Sequence, residues 1–275
     1  MKLTILGCYA ATPRSLTNPT SQVLEIKNRL FLIDCGEGTQ VQLRKKKLKF
    51  SKINHVFISH LHGDHFFGLI GLIATFGLLG RTNDLHIYGP KGIKEIIDLQ
   101  LKLSNSWTNY KLFFHELESK GSEIIFEDEK VIVKTIPLKH RVYTNGFLFQ
   151  EKIGERKLNL NAVKYFDIDT CYADLPLSYA FCSDTKYSED IIPIIENVSV
   201  LYHESTFLDS EESLASKTMH STAKEAAKIA LKANAKQLIL GHYSTRYESI
   251  DLFKEEATTI FKEVALADDG KNFEF

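Results

Sequence analysis

A chain of 275 residues with 44% hydrophobic and 25% charged side chains has the make-up of a globular protein able to bury a sizeable core. Its net charge of −1 excludes an overall polycation that would bind nucleic acid by bulk charge alone. No apolar run reaches the roughly eighteen residues of a membrane span.

Taken in chain order, the hydrophobic patterning predicts strands at residues 2–7, 22–26, 30–34 and 55–59, with a helix over 38–47. The first strand is too short for a signal-peptide core, and no small-residue cleavage site follows it. Cys8, Cys35, Cys171 and Cys182 form no C-x-x-C pair, so neither a thiolate zinc site nor a disulfide framework is expected, and a reducing cytoplasm is the simplest setting. The run Arg44-Lys45-Lys46-Lys47-Leu48-Lys49 reads as a solvated helix end whose cations complement the dipole, with phosphate contact the less favoured reading. Further helices are predicted over 65–79, 93–104, 188–196, 222–234 and 250–264. Strands interleave at 85–88, 111–116, 130–136, 146–151, 177–182, 198–203 and 237–240. Thr222-Ala-Lys-Glu225 is a capping box that fixes a helix start just after His220. Strands and helices mix in both halves, and no linker or repeat divides them, so one α/β domain is expected over 1–275.

The densest chemistry follows the fourth strand, in His55-Val-Phe-Ile-Ser-His60-Leu-His62-Gly-Asp64-His65. Val56-Phe57-Ile58 is a buried strand, and Gly63 permits a tight turn just past it. Residues at i and i+2 of an extended segment point the same way, so His60 and His62 can close on one metal ion. Asp64 and His65, beyond the turn, can face a second. Imidazole nitrogen with carboxylate oxygen suits zinc, with manganese or iron as alternatives. The bland alternative is a polar loop rich in histidine by chance. Three imidazoles and a carboxylate within six residues at a strand end argue against it.

Polar residues able to bind metal recur past other apolar strands: Asp34, His140, Asp184, His203 and His242. Singly each has an ordinary reading. His140 and His242 could be surface or hydrogen-bonded residues, and Asp184 a turn or N-cap residue. With the His60 cluster, His140, Asp184 and His242 make five histidines and two aspartates, an inventory for two ions with one carboxylate bridging. A sheet whose strand ends converge on one edge would gather them. Glu204 and His220 could pair as a general acid or merely tie loops together, and spacing leaves both open.

Ser59-His60-Leu61-His62-Gly63-Asp64-His65 carries the H-x-H-x-D-H signature of the metallo-β-lactamase superfamily. Three neighbouring stretches narrow it: Phe31-Leu-Ile-Asp34-Cys-Gly36-Glu37-Gly38-Thr39-Gln40, His203-Glu-Ser-Thr-Phe207 and Gly241-His-Tyr-Ser-Thr-Arg246-Tyr247. They resemble the ribonuclease Z family of tRNA 3′-processing endonucleases. Cys182-Ser-Asp184-Thr185 is similar to that family's metal-bridging aspartate motif, and His220-Ser-Thr222 to its catalytic-histidine motif.

The resemblance runs in order from Leu3 to Tyr247. It implies a four-layer αβ/βα sandwich with two zinc ions per subunit, manganese being the alternative. It further implies that His60, His62 and His140 hold one ion, and Asp64, His65 and His242 the other, with Asp184 bridging. Asp64 would also orient the attacking water. His220, supported by Glu204, would protonate the leaving 3′-oxygen, and Arg246 would steady a phosphate. The implied hydrolase is a cytoplasmic homodimer that cuts the 3′ trailer from precursor tRNA, leaving a 3′-hydroxyl, with no membrane partner.

Where the family carries a long, Gly-Pro-containing arm, this chain has a shorter insertion at about 150–174 with Lys152, Arg156, Lys157 and Lys164. Cys8-Tyr-Ala-Ala-Thr-Pro13-Arg-Ser-Leu-Thr-Asn18 replaces the family's Gly-rich loop. Two other functions stand beside the first. One is a dinuclear-zinc phosphodiesterase acting on small diesters such as cyclic nucleotides. The other is an inactive RNA-binding scaffold, against which the retained ligand set and proton-handling pair argue.

Overall fold

The computed structural model of the chain describes residues 1–12, 14–152 and 176–275. The central part of the 150–174 insertion, with Cys171, and the loop residue Pro13 lie outside the described residues. No helix among those described is long and apolar enough to cross a membrane.

Two seven-stranded sheets face each other. The first runs β1 (Lys2–Gly7), β2 (Ser21–Ile26), β3 (Arg29–Ile33), β4 (Ile53–Phe57), β5 (Leu85–Pro90) and β6 (Leu112–Leu117) in chain order, with β14 (Asn272–Glu274) added outside β1. Its β3 to β6 are parallel, and β1 to β3 antiparallel. The second sheet is ordered β13 (Val264–Leu266), β12 (Gln237–Gly241), β11 (Val200–Glu204), β10 (Ser178–Cys182), β9 (Asn145–Glu151), β8 (Val131–Pro137) and β7 (Ile124–Glu127). There β10 to β13 are parallel, and β7 to β10 antiparallel.

Alternation of side chains along the strands builds the layers. Phe31, Phe57, Phe147, Phe149 and Phe181 point between the sheets and are fully buried. The Phe57 ring lies 5.4 Å from Phe147 and 5.3 Å from Phe149, centroid to centroid. Leu32, Val56 and Ile87 of the first sheet point the other way, under α1 (Thr39–Lys45), α3 (Gly68–Leu78) and α4 (Ile93–Leu103). The second sheet is covered by the helices Ala223–Lys232 and Asp251–Thr258, through Ala226, Ala230 and Phe253. Helix, sheet, sheet, helix is the expected αβ/βα sandwich.

The predicted capping box is present in full. Thr222 accepts from Glu225 N at 3.2 Å, while the Glu225 carboxylate accepts from Thr222 N at 2.9 Å. Arg44 and Lys45 occupy the last turn of α1, and the basic run is exposed as expected.

Several elements differ from expectation. The helix expected over 65–79 is two pieces, α2 (Gly63–Phe66) and α3, because the chain is drawn against the loop after β3. Gly68 N donates to Cys35 O at 2.9 Å, and a Cβ on Gly68 would sit 2.0 Å from Gly36 O. The helix expected over 250–264 ends at Thr258, since Val264 pairs with Leu238 as an added strand. The stretch 188–196 is a 3₁₀ turn, Glu189–Ile191, and one further turn, Ile192–Ile195. β7, β14 and the helix Glu212–Thr218 were not expected.

Candidate metal centre

The strand ends do converge. β3 leads into Asp34, β4 into Ser59 and His60, β10 into Asp184, β11 ends on Glu204, and β12 leads into His242. Asp34, Asp184 and His242 each take a left-handed backbone, with φ of 54°, 52° and 61°. That conformation costs a residue with a Cβ on the order of 1 kcal/mol. Glycine would take it freely, so the side chains kept there mark the turns as chemical. His140 comes from the loop after β8.

Two donor groups result. His60, His62, His140 and Asp184 bring one donor atom each to within 4.8 Å of one another, and Asp64, His65 and His242 do the same. Asp184 joins them through its two oxygens. Oδ2 lies 3.6 Å from His60 Nε2 and 3.8 Å from His140 Nε2, while Oδ1 lies 3.3 Å from His65 Nε2 and 3.2 Å from His242 Nε2. Asp64 Oδ2 stands 3.3 Å from His65 Nε2 and 3.7 Å from His242 Nε2. All seven predicted ligands are therefore together.

Four of the five imidazoles, all but His62, are oriented from behind, the usual way a ligand tautomer is fixed. His65 Nδ1 donates to Asp34 Oδ2 at 2.7 Å, and His60 Nδ1 to Ser59 Oγ at 3.0 Å. His140 Nδ1 donates to Met219 O, and His242 Nδ1 to Thr206 Oγ1, both at 2.9 Å. The opposite nitrogens of His65, His140 and His242 are buried with no hydrogen-bond partner. His60 Nε2 and His62 Nδ1 face each other at 2.9 Å, an arrangement that needs a proton or a cation between them. Orphaned lone pairs at the centre of a buried polar cluster fit metal ions.

The electrostatics point the same way. Burial lowers the proton affinity of His60, His62 and His140 below that of an ordinary imidazole, leaving them neutral at pH 7 with lone pairs free. Burial opposes charge on His65 too, yet the carboxylates of Asp184, Asp64 and Asp34 hold its proton affinity well above the ordinary value. Burial likewise opposes charge on Asp184 and Asp64, but the surrounding imidazoles keep both carboxylates ionised. The centre is a well of negative potential suited to cations.

Beside it lies a second unit. Glu204 is fully buried and accepts from Thr185 N at 2.7 Å, Thr206 Oγ1 at 2.6 Å and His220 Nδ1 at 2.9 Å. Burial works against a charged His220, but Glu204 outweighs it and the ring's pKa is pushed up to about 9. His220 also comes within 4.8 Å of donors on Asp184 and His242. Its tie to the fully buried Glu204 sets it apart from the candidate ligands.

Two residues singled out by pattern have other places. Asp34 stands behind His65 and also accepts from Ser59 N at 2.7 Å and Ser59 Oγ at 2.8 Å, so it braces the His60 loop. His203 is buried, donates from Nδ1 to Glu204 O at 2.8 Å and belongs to no donor group. Thr206 was missed as a functional residue: its hydroxyl links His242, at 2.9 Å, to Glu204, at 2.6 Å. Only its place in the quoted His203–Phe207 stretch signalled it. Arg246 is exposed at the rim, its guanidinium 5.9 Å from the Phe207 ring centroid.

Comparison with known proteins places this geometry in context. Residues 29–243 match the family of β-lactamase superfamily domains. Ribonuclease Z of Bacteroides fragilis is 42% identical over 292 aligned residues, covering 97% of this chain and 96% of the relative. Ribonuclease Z of Cytophaga hutchinsonii is 45% identical over 298 residues, covering 99% and 95%. Among solved structures, human tRNase Z, short form, superposes with a TM-score of 0.81 at 31% identity, over 100% of this chain and 99% of that one.

Proposed function

The chain belongs to the ribonuclease Z family of the metallo-β-lactamase superfamily, and from that premise we propose that it is a zinc-dependent endoribonuclease cleaving the 3′ trailer from precursor tRNA. The cut leaves a 3′-hydroxyl on the tRNA. One observation carries the reading: Asp184 turns one oxygen to His60 and His140 and the other to His65 and His242. A carboxylate shared in this way supports a two-ion site, in which His60, His62 and His140 would hold one ion, Asp64, His65 and His242 would hold the other, and Asp184 would serve both.

When bound, two zinc ions supply Lewis acidity, making a water molecule reactive near neutral pH and offsetting charge on the phosphoryl oxygens. The protein's own residues do the rest. Asp64, held ionised, orients the attacking water. His220 keeps its proton at neutral pH because Glu204 lies 2.9 Å away, and it delivers that proton to the departing 3′-oxygen. The Thr206 hydroxyl couples the ligand His242 to this acid pair. Arg246 offers a planar fork for a substrate phosphate at the rim. The family reading also makes the working unit a cytoplasmic homodimer, checked by sedimentation.

The test is to incubate metal-loaded protein with a 3′-extended precursor tRNA and map the cut. A single cut near the discriminator base is the expected outcome. An intact precursor alongside brisk turnover of a cyclic nucleotide would replace this reading with that of a small-diester phosphodiesterase.

A further inference from the structure

Thr185 follows the shared carboxylate Asp184 in the loop after β10, yet it is only 2% exposed. Loops ordinarily run over the surface, where water satisfies their polar groups. Here every polar atom of the residue is taken up by protein. Its N–H donates to Glu204 Oε1 at 2.7 Å, the same oxygen to which His220 Nδ1 donates at 2.9 Å. Its carbonyl accepts from Ser221 Oγ at 2.6 Å, one residue past His220. Its hydroxyl accepts from Lys139 N at 3.0 Å, one residue before His140, and donates to Lys186 O at 2.9 Å. Lys186 N completes the link between the two loops by donating to Lys139 O at 3.0 Å.

Three other segments therefore meet on this one residue, and they carry His140, Glu204 and His220. Valine has nearly the same outline, so filling the space does not call for a hydroxyl. A group that accepts and donates at once does call for one. Without it, Lys139 N loses its partner directly beside the candidate ligand His140. The His140 ring is already turned by the bond from Nδ1 to Met219 O at 2.9 Å. Thr185 restrains something different, the backbone from which that ring hangs. The two ties are separable, since the hydroxyl acts on the His140 loop and the carbonyl on the His220 segment.

We propose that Thr185 is a positioning residue for both halves of the centre, setting His140 through its hydroxyl and His220 through its carbonyl and Ser221. The second half rests on the proposed phosphodiester hydrolysis, and the first on metal binding alone.

The test compares wild type, Thr185→Val, Thr185→Ser and Ser221→Ala. Each is titrated with zinc against a chelating dye, then assayed at saturating zinc on a 3′-extended precursor tRNA and on bis(4-nitrophenyl) phosphate. A nitrophenolate departs without needing a proton, so the diester is nearly blind to where His220 stands. Thr185→Val is expected to weaken zinc binding about 10- to 100-fold, as loss of an outer partner does, and Thr185→Ser restores it. Thr185→Ala reads the same arm should the valine variant not fold. Ser221→Ala is expected to bind zinc as the wild type does. Its kcat on precursor tRNA should fall about a hundredfold, the cost of misplacing a reacting group by about 1 Å. Its loss on the diester should be about tenfold smaller.

Wild-type zinc affinity in Thr185→Val overturns the hold on His140, and so does a Thr185→Ser variant that restores nothing. Equal losses of Ser221→Ala on the two substrates, or weakened zinc binding in that variant, overturn the hold on His220. A wild type that hydrolyses the nitrophenyl diester but leaves precursor tRNA intact defeats the tRNA reading instead. The zinc titrations still decide the first half, and a dinucleoside diester, whose leaving oxygen also needs a proton, decides the second.

Discussion

At the scale of single residues, the proposed roles divide the centre into groups that would hold cations and groups that would handle protons, and substitutions should separate them too. Asp64 faces His65 and His242 at 3.3 and 3.7 Å, whereas His220 is bound to Glu204. Asp64→Ala and His220→Ala are both expected to abolish turnover, yet only Asp64→Ala should lower zinc content appreciably. Equal zinc loss in the two variants would make His220 a ligand and sink the acid assignment. Asp34 poses a subtler case, being buried and never in the donor groups. Its Oδ2 accepts a hydrogen bond from His65 Nδ1 at 2.7 Å. Asp34→Asn replaces that acceptor with an amide, and loss of such an outer partner typically costs about 10- to 100-fold in metal affinity. Competition titration against a fluorescent zinc chelator measures this, and unchanged affinity would show that Asp34 only braces Ser59.

At the scale of elements, the route from sequence to site runs through close approaches that patterning does not encode. Gly68 begins α3 with its N–H on Cys35 O, and Cys35 N in turn donates to His65 O at 2.7 Å. A methyl group at Gly68 would lie 2.0 Å from Gly36 O, a backbone atom that cannot step aside cheaply. Gly68→Ala should therefore lower stability by about 1–3 kcal/mol and weaken zinc binding, because α2 and the loop after β3 share those hydrogen bonds. A melting temperature within about 1 °C of wild type would show that the contact relaxes freely. The same locality explains what could be read in advance. Strands such as β3 and β12 are near-continuous apolar runs, and the capping box at Thr222 carries its own start signal, so both were legible. β7 and β14 were not, because each is a short, largely exposed edge strand: β14 exists through pairing with Lys2 to Thr4, at the far end of the chain. The seven candidate ligands were legible as residue types at strand ends, and the family motifs supplied their proposed division between two ions. The positive φ at Asp34, Asp184 and His242 was not, since aspartate and histidine, though enriched among left-handed residues, take that conformation only in a small minority of positions. Thr206 was hidden for a related reason: a hydroxyl between a ligand and an acid has no periodicity.

At the scale of the whole molecule, the donor groups bridge the two sheets. His60, His62, Asp64 and His65 all follow β4 of the first sheet, while His140, Asp184 and His242 follow β8, β10 and β12 of the second. Each group draws on both, since His60 and His62 meet His140 and Asp184, and Asp64 and His65 meet His242. Without cations, orphaned nitrogens and ionised carboxylates lie against one another at the open edge of the sandwich. With cations bound, those same groups fasten one sheet's loops to the other's. Ligand binding to the folded chain alone stabilises it by about 2.7 kcal/mol per site at a hundredfold excess over Kd. Two sites then contribute roughly 5 kcal/mol, and a chain of this size gains about 2 °C per kcal/mol. Chelation should thus lower the melting temperature by about 10 °C, and zinc should restore it. Asp184→Asn should lose most of the zinc-dependent rise, because the bridging charge serves both groups at once. If chelator and zinc leave the melting temperature of the wild type in place, the donors do not fasten the sheets, and the two-ion reading of Asp184 fails with them.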